Sequence, residues 1–156
     1  MEQKTIAESR TEQVQIVMPE HINSTNRLFG GRLVEWIDVV AAVVARRHSG
    51  RNVTTVAIDN LHFQAAAYVN DTLVLAGRMT HTGTSSMEVR VDTYVEELSG
   101  SRRMINRAYL VLVALDQEER PTPVPGLLLE TEEDLQEWAN GQRRRELRSE
   151  RRDVGY

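Results

Sequence analysis

An aspartate stands alone in the most apolar stretch of this chain. Between Trp36 and Ala45, in "WIDVVAAVVA", every side chain but Asp38 is apolar, so a carboxylate lies inside what reads as a core helix. Burying it unpaired would cost several kcal/mol or raise its pKa until it neutralised, so an aspartate kept there is paired or employed. About two turns earlier the pair Gly30 and Gly31 stands at the mouth of the same helix. Glycines let a ligand approach the backbone closely. The unpaired N–H groups of a helix N-terminus, with the dipole behind them, favour developing negative charge. An oxyanion-binding corner and a carboxylate on one helix is a workable arrangement for hydrolysis.

Other chemistries find little support. The 156 residues contain no cysteine, which excludes disulfide frameworks, zinc-thiolate sites, iron–sulfur clusters and thiol nucleophiles, and makes a cytoplasmic setting the expectation. His21, His62 and His81 lack H-E-x-x-H spacing, so no metal site is expected. Ser85 and Ser86 lack the G-x-S-x-G elbow of a serine nucleophile. The net charge of -4 disfavours nucleic acid as a partner, although "NGQRRRELRSERRDVGY" is basic. The acidic "LLLETEEDLQEW" precedes it, and that polarity reads as a solvated terminal helix. No run approaches the ~20 apolar residues of a membrane span, and "MEQKTIAESRTEQ" lacks a signal peptide's apolar core.

The elements that must position Asp38 follow from periodicity. Residues 10–18 read as a strand ended by Pro19, residues 20–31 as a loop, and Gly31 to Arg47 as a helix stopped by Gly50 and Asn52. Strands are predicted over 52–63, 71–81, 86–97 and 104–115, joined by short connections around Gly83 and Gly100. In the third, Met87, Val89, Val91, Thr93 and Val95 share one face and Glu88, Arg90, Asp92, Tyr94 and Glu96 the other, the pattern of a half-buried antiparallel strand. "RPTPVPGL" should run extended across the surface, and Thr131 with Asp134 should open a terminal helix with Leu135 and Trp138 as its apolar contacts. One long helix against a curved antiparallel sheet is an α+β architecture. On the helix, Arg32, Glu35 and Asp38 form a stripe whose continuation, Val39, Ala42 and Val43, is apolar. That stripe is wet at one end and covered at the other, and no segment is left to cover it except a second subunit.

The stretches from Asn23 to Gly31, "WIDVVAAVVARRHS", "VTTVAIDNLHF" and "TGTSSMEV" together resemble the hotdog-fold acyl-CoA thioesterases of the cytosolic long-chain and brain-type acyl-CoA hydrolase family, over residues 14 to 125. The resemblance implies a hotdog domain over 1–128 with a charged helical extension over 129–156, working as a homodimer and as a trimer of such dimers. It implies hydrolysis of acyl-CoA to a carboxylic acid and CoA without metal or cofactor, CoA being part of substrate and product. Asn23 and Asp38 would meet across the dimer. Asp38 would activate water or attack the thioester, Asn23 would orient water or thioester, and backbone N–H near Gly30 and Gly31 would hold the oxyanion. Gly83, Thr84, Ser85 and Ser86 would contact the pantetheine and phosphate end of CoA, with Phe29 and Thr55 also against substrate. Arg47 and His48 would meet CoA phosphates, unless they serve only as favourable charge at a helix C-terminus.

The chain departs from the family pattern at four places. Asn26 stands for a glycine, Ala66 for a proline, Asn70 for a glycine and Thr84 for a basic residue. Two other functions stay in play: a non-catalytic acyl-CoA-binding protein on the same fold, and a thioester hydratase, which resembles a pattern with a catalytic histidine that this helix interior lacks.

Overall fold

The computed structural model describes residues 1–59 and 61–155. The run around Asp38 forms α1 (Gly30–Ser49), slightly longer than predicted at both ends. Gly50 ends it at φ +67°, donating its N–H to the Arg46 carbonyl at 2.7 Å. Around α1 bends a five-stranded antiparallel sheet of β2 (Thr11–Ile16), β3 (Asn52–Asp59), β4 (Thr72–Thr82), β5 (Ser86–Glu96) and β6 (Arg102–Leu115), in the order β2-β4-β5-β6-β3. A small parallel pair joins β1 (Lys4–Thr5) to β7 (Leu127–Leu128). This is the helix-wrapped α+β architecture expected.

The core lies between α1 and the inner face of the sheet. Leu33, Ile37, Val40, Ala41 and Val44 are buried against Leu75, Met79, Met87, Val89 and Leu110. Helix and sheet come closest at Gly77, where an added Cβ would lie 2.7 Å from Val40 Cγ1 and 2.9 Å from Val44 Cγ2. The proline segment runs extended but is not confined to the surface: Val124 and Leu127 drop into the core.

The terminal helix, α2 (Glu132–Asp153), differs from expectation. Thr131 caps it as predicted, with Asp134 N–H donating to Thr131 Oγ1 at 3.0 Å. It is not a solvated helix, however, because one face docks on the outer side of β4, β5 and β6. Leu135 points away, 56% exposed, while Trp138 packs on the His81 ring with centroids 4.2 Å apart. The charged face of β5 is therefore covered, and Glu88 and Asp92 are each only 2% exposed. Periodicity alone could not show this, because the covering face of α2 is itself polar: Arg90 donates to Glu137, and Arg144 to Glu88. Gly141 lets α2 approach, since a Cβ there would sit 2.8 Å from His81 Cβ and 2.9 Å from Glu88 Oε1. Gly141→Val is expected to cost about 1–3 kcal/mol by forcing the helix off the sheet, read as a lowered thermal midpoint.

Candidate active site

Helix α1 begins without a side-chain cap. Arg32 and Leu33 N–H bond the Phe29 carbonyl, but no hydrogen bond among the described residues takes up the N–H of Gly30 or Gly31. Two aromatic rings crowd this end: a Cβ on Gly30 would lie 3.3 Å from Phe63 Cζ, and one on Gly31 2.7 Å from Phe29 Cε1. Beside it opens a cavity of about 340 Å³ lined by Asn23, Gly30, Leu33, Phe63, Ala67 and Ile105 among others. Asn23 closes its own loop, its Oδ1 accepting from Thr25 N–H (2.9 Å), Thr25 Oγ1 (2.7 Å) and Arg27 N–H (3.2 Å). Asn26 at φ +62° and Asn70 at φ +75° adopt the left-handed backbone that asparagine tolerates in place of glycine.

Asp38 lies eight residues into the helix, about 12 Å along its axis from Gly30. Its Oδ1 accepts a 2.7 Å hydrogen bond from Thr55 Oγ1 on β3. A bulge sets this contact. The β3–β6 register shifts between Thr55 and Ala57, so Thr55 faces inward opposite Leu112 while Asp59, of the same parity, faces outward opposite Tyr109. Asp59 consequently pairs with Arg148 of α2 at 2.9 Å rather than with a neighbouring strand, and Asn60 lies outside the described residues. The structure brings Asn23 and Gly30 to one cavity and Thr55 to Asp38. Asp38 is not among the residues lining that cavity. Beyond Asp38 the described residues cover the apolar continuation of the stripe only in part: Val39 is 50% exposed, while Ala42 and Val43 are half-buried.

The remaining sequence-selected residues fall in two places. The turn after β4 is fixed by Gly83 N–H to Ser86 O (2.9 Å), Ala114 N–H to Ser85 O (3.0 Å) and Val124 N–H to Thr84 O (2.9 Å). It borders a second cavity, of about 720 Å³, between α2 and the outer face of the sheet. At the far end of α1, Arg47 donates to the Arg10 carbonyl and Thr11 Oγ1, both at 3.1 Å. His48 is fully buried, with Nε2 2.7 Å from the Pro125 carbonyl. Burial holds its pKa below the usual histidine value, against the opposing pull of the Pro125 bond. Its ring faces the proline strap, a direction the R-H pair could not reveal. His48→Leu is expected to cost about 1–3 kcal/mol by orphaning the Pro125 carbonyl while leaving CoA affinity unchanged, measured by denaturation and titration calorimetry.

Sequence reasoning missed the ion cluster on the outer face, where Glu88 accepts from Thr80 Oγ1 (2.6 Å), Arg144 (2.8 and 3.0 Å) and Arg148 (3.2 Å). The signal was present: Arg144, Arg148, Arg151 and Arg152 recur at helical spacing. Among the described residues no three His, Asp or Glu lie close enough to hold a metal ion, and no helix is long and apolar enough to cross a membrane.

Comparison with known proteins converges on one group. The Thioesterase superfamily matches residues 25–99. An uncharacterized acyl-CoA thioester hydrolase of Bacillus subtilis, YkhA, is 38% identical over 129 residues, covering 82% of this chain and 75% of that one. A solved acyl-CoA hydrolase of Staphylococcus aureus, in complex with butyryl coenzyme A, coenzyme A and coenzyme A disulfide, superposes with a TM-score of 0.93 at 31% identity, over 98% of this chain and 94% of the other. Alanine variants of it at one asparagine, one aspartate and one threonine have also been solved. An apo-hexameric acyl-CoA thioesterase gives a TM-score of 0.88 at 35% identity, over 96% and 97%. Mammalian thioesterases that match are longer, and the chain spans 24% to 38% of their length.

Proposed function

We propose, from the premise that this chain belongs to the acyl-CoA thioester hydrolases of the thioesterase superfamily, that it hydrolyses acyl-CoA to a free carboxylic acid and CoA. The observation that carries the reading is Asp38, a carboxylate at the wet margin of an apolar helix, with one oxygen fixed by Thr55 and the other taken up by no hydrogen bond among the described residues. The alanine variants made in the Staphylococcus aureus enzyme stand at the same separations along the chain as Asn23, Asp38 and Thr55 here.

In the proposed reaction Asp38 removes a proton from water as the water oxygen bonds to the thioester carbon. Charge gathering on the carbonyl oxygen is received by the open N–H groups of Gly30 and Gly31, with the helix dipole behind them. When the C–S bond breaks, the proton held by Asp38 returns to the thiolate and CoA leaves. Asn23 orients water or thioester with its amide Nδ2, since its Oδ1 is occupied by the loop. Because Gly30 and Asp38 lie about 12 Å apart along α1, the working site joins the Asn23 and Gly30 cavity of one protomer to Asp38 of its partner. The exposed Val39, and the free edge of β3, supply the surface for that pairing. A hexamer built as three dimers fits the same face, and a cytoplasmic setting fits a chain without cysteine.

Purified protein is expected to release CoA from acyl-CoA in a thiol-trapping assay, and a panel of short, medium and long chains reads the acyl preference. Tight CoA binding without release would instead identify the non-catalytic alternative. Single turnover in heavy-oxygen water tests the direct role of Asp38: label confined to the product acid supports activation of water, whereas label retained in the protein shows attack by Asp38 itself. Light scattering is expected to show an oligomer whose mass does not change with dilution, and a monomer would remove the shared site.

A further inference from the structure

One asparagine in the interior is only half used. Asn106 on β6 is fully buried, its Nδ2 donating to the His62 carbonyl at 2.7 Å, while its Oδ1 takes up no hydrogen bond among the described residues. Thr93, opposite it on β5, is also fully buried, with an Oγ1 unpartnered among the described residues. Unpaired polar atoms in a core cost stability, and an apolar pair of the same shape would leave none. What Asn106 supplies instead is the bond to His62. A bulge directs a second bond to the same segment: the β5–β6 register passes from Thr93 opposite Asn106 to Tyr94 opposite Met104, which leaves Ile105 facing no residue of its own. Ile105 lines the cavity beside Asn23, and its carbonyl accepts from Gln64 N–H at 2.9 Å. Phe63 is thus gripped through the backbone on both sides. Its ring is 51% exposed, so burial does not fix it.

That grip decides where the ring lies. Phe63 Cζ is 3.3 Å, and Cε2 3.7 Å, from the point a Cβ on Gly30 would occupy, so the ring walls one side of the open helix start. Further along, the Ala67 carbonyl accepts from Leu28 N–H at 2.8 Å, tying the same segment to the loop that carries Asn23. An apolar wall beside N–H donors keeps water from competing for them and strengthens their hold on developing charge. We propose that Asn106 is a positioning residue for thioester turnover, holding Phe63 over Gly30 through the His62 carbonyl and so keeping the oxyanion corner dry. Asn106 is not among the residues that line the cavity, so its action runs through Phe63. The proposal rests on the acyl-CoA reading for its chemistry, whereas the anchoring of the segment does not.

Two substitutions move stability in opposite directions and the segment in the same one. Asn106→Leu fills the space and removes both the donor and the unpaired acceptor, so its thermal midpoint is expected to hold or rise; Asn106→Ala leaves a hole, and its midpoint is expected to fall. Either way the His62 carbonyl loses its donor, and hydrogen exchange of the intact protein, read by mass spectrometry, is expected to show lost protection over residues 61–68. In both variants kcat for acyl-CoA is expected to fall roughly ten- to a hundredfold with KM nearly unchanged. Thr93→Val is the control on the same face, expected to keep protection and kcat at the wild-type level. A kcat that follows the midpoint, lost in Asn106→Ala and kept in Asn106→Leu, overturns the proposal in favour of a purely structural role. So does unchanged protection in both variants, or a kcat lost equally in Thr93→Val. A wild type that releases no CoA refutes the hydrolase reading by itself, and the exchange comparison then still upholds or overturns the anchoring of Phe63.

Discussion

Asp38→Asn is expected to lower thioester turnover about a thousandfold or more while leaving fold and CoA affinity intact. General base action by a placed carboxylate contributes roughly 10²- to 10⁴-fold, and an amide of the same shape supplies none of it. Stability should change little, because Thr55 Oγ1 can donate to the amide oxygen as it does to Asp38 Oδ1 at 2.7 Å. A second variant separates chemistry from positioning. Thr55→Val keeps the shape but removes the donor, so Asp38 is left free to rotate, and kcat should fall about tenfold with KM nearly unchanged. Full activity in Asp38→Asn would remove the carboxylate from the mechanism, and a lowered thermal midpoint alongside lost activity would give it a structural role instead.

That Asp38 could be singled out at all follows from contrast, since a carboxylate among apolar neighbours is visible in one dimension. The helix, the four long strands and the Thr131 cap were legible for the same reason, each resting on a short-range period or an end signal. What was not legible depended on single inserted residues. The bulge at Val56 puts Thr55 and Asp59 on opposite faces of β3, and a similar shift between Met79 and His81 puts His81 opposite Glu88. A strict alternation cannot announce where it slips. The outer face was hidden for a different reason: apart from Trp138, α2 covers the sheet mainly with arginines and glutamates, so the docking carried little apolar signature. Resemblance could mark the turn at Thr84–Ser86 as a contact for CoA, but α2, which carries the arginines beside it, lies beyond the residues that bear that resemblance.

Removing Arg144 is expected to be among the most damaging changes to stability. Its guanidinium lies 3.6 Å from the centre of the Tyr109 ring and holds both oxygens of Glu88, which is 2% exposed. Breaking one side of a buried pair costs about 3–5 kcal/mol, a large part of the roughly 5–15 kcal/mol that stabilises a domain. Arg144→Met should therefore lower the urea midpoint sharply. Glu88→Leu/Arg144→Met should recover much of the loss, because apolar groups leave no charge uncompensated. Acid provides an independent check. Burial pushes the Glu88 carboxyl up, but hydrogen bonds from Arg144 and Thr80 outweigh it and hold the group below the ordinary carboxylate value. A carboxyl with a lowered pKa contributes stability that is complete above its unfolded value and is lost as pH falls through the folded one. Wild-type stability should thus decline below about pH 4.5, and Glu88→Gln should flatten that decline.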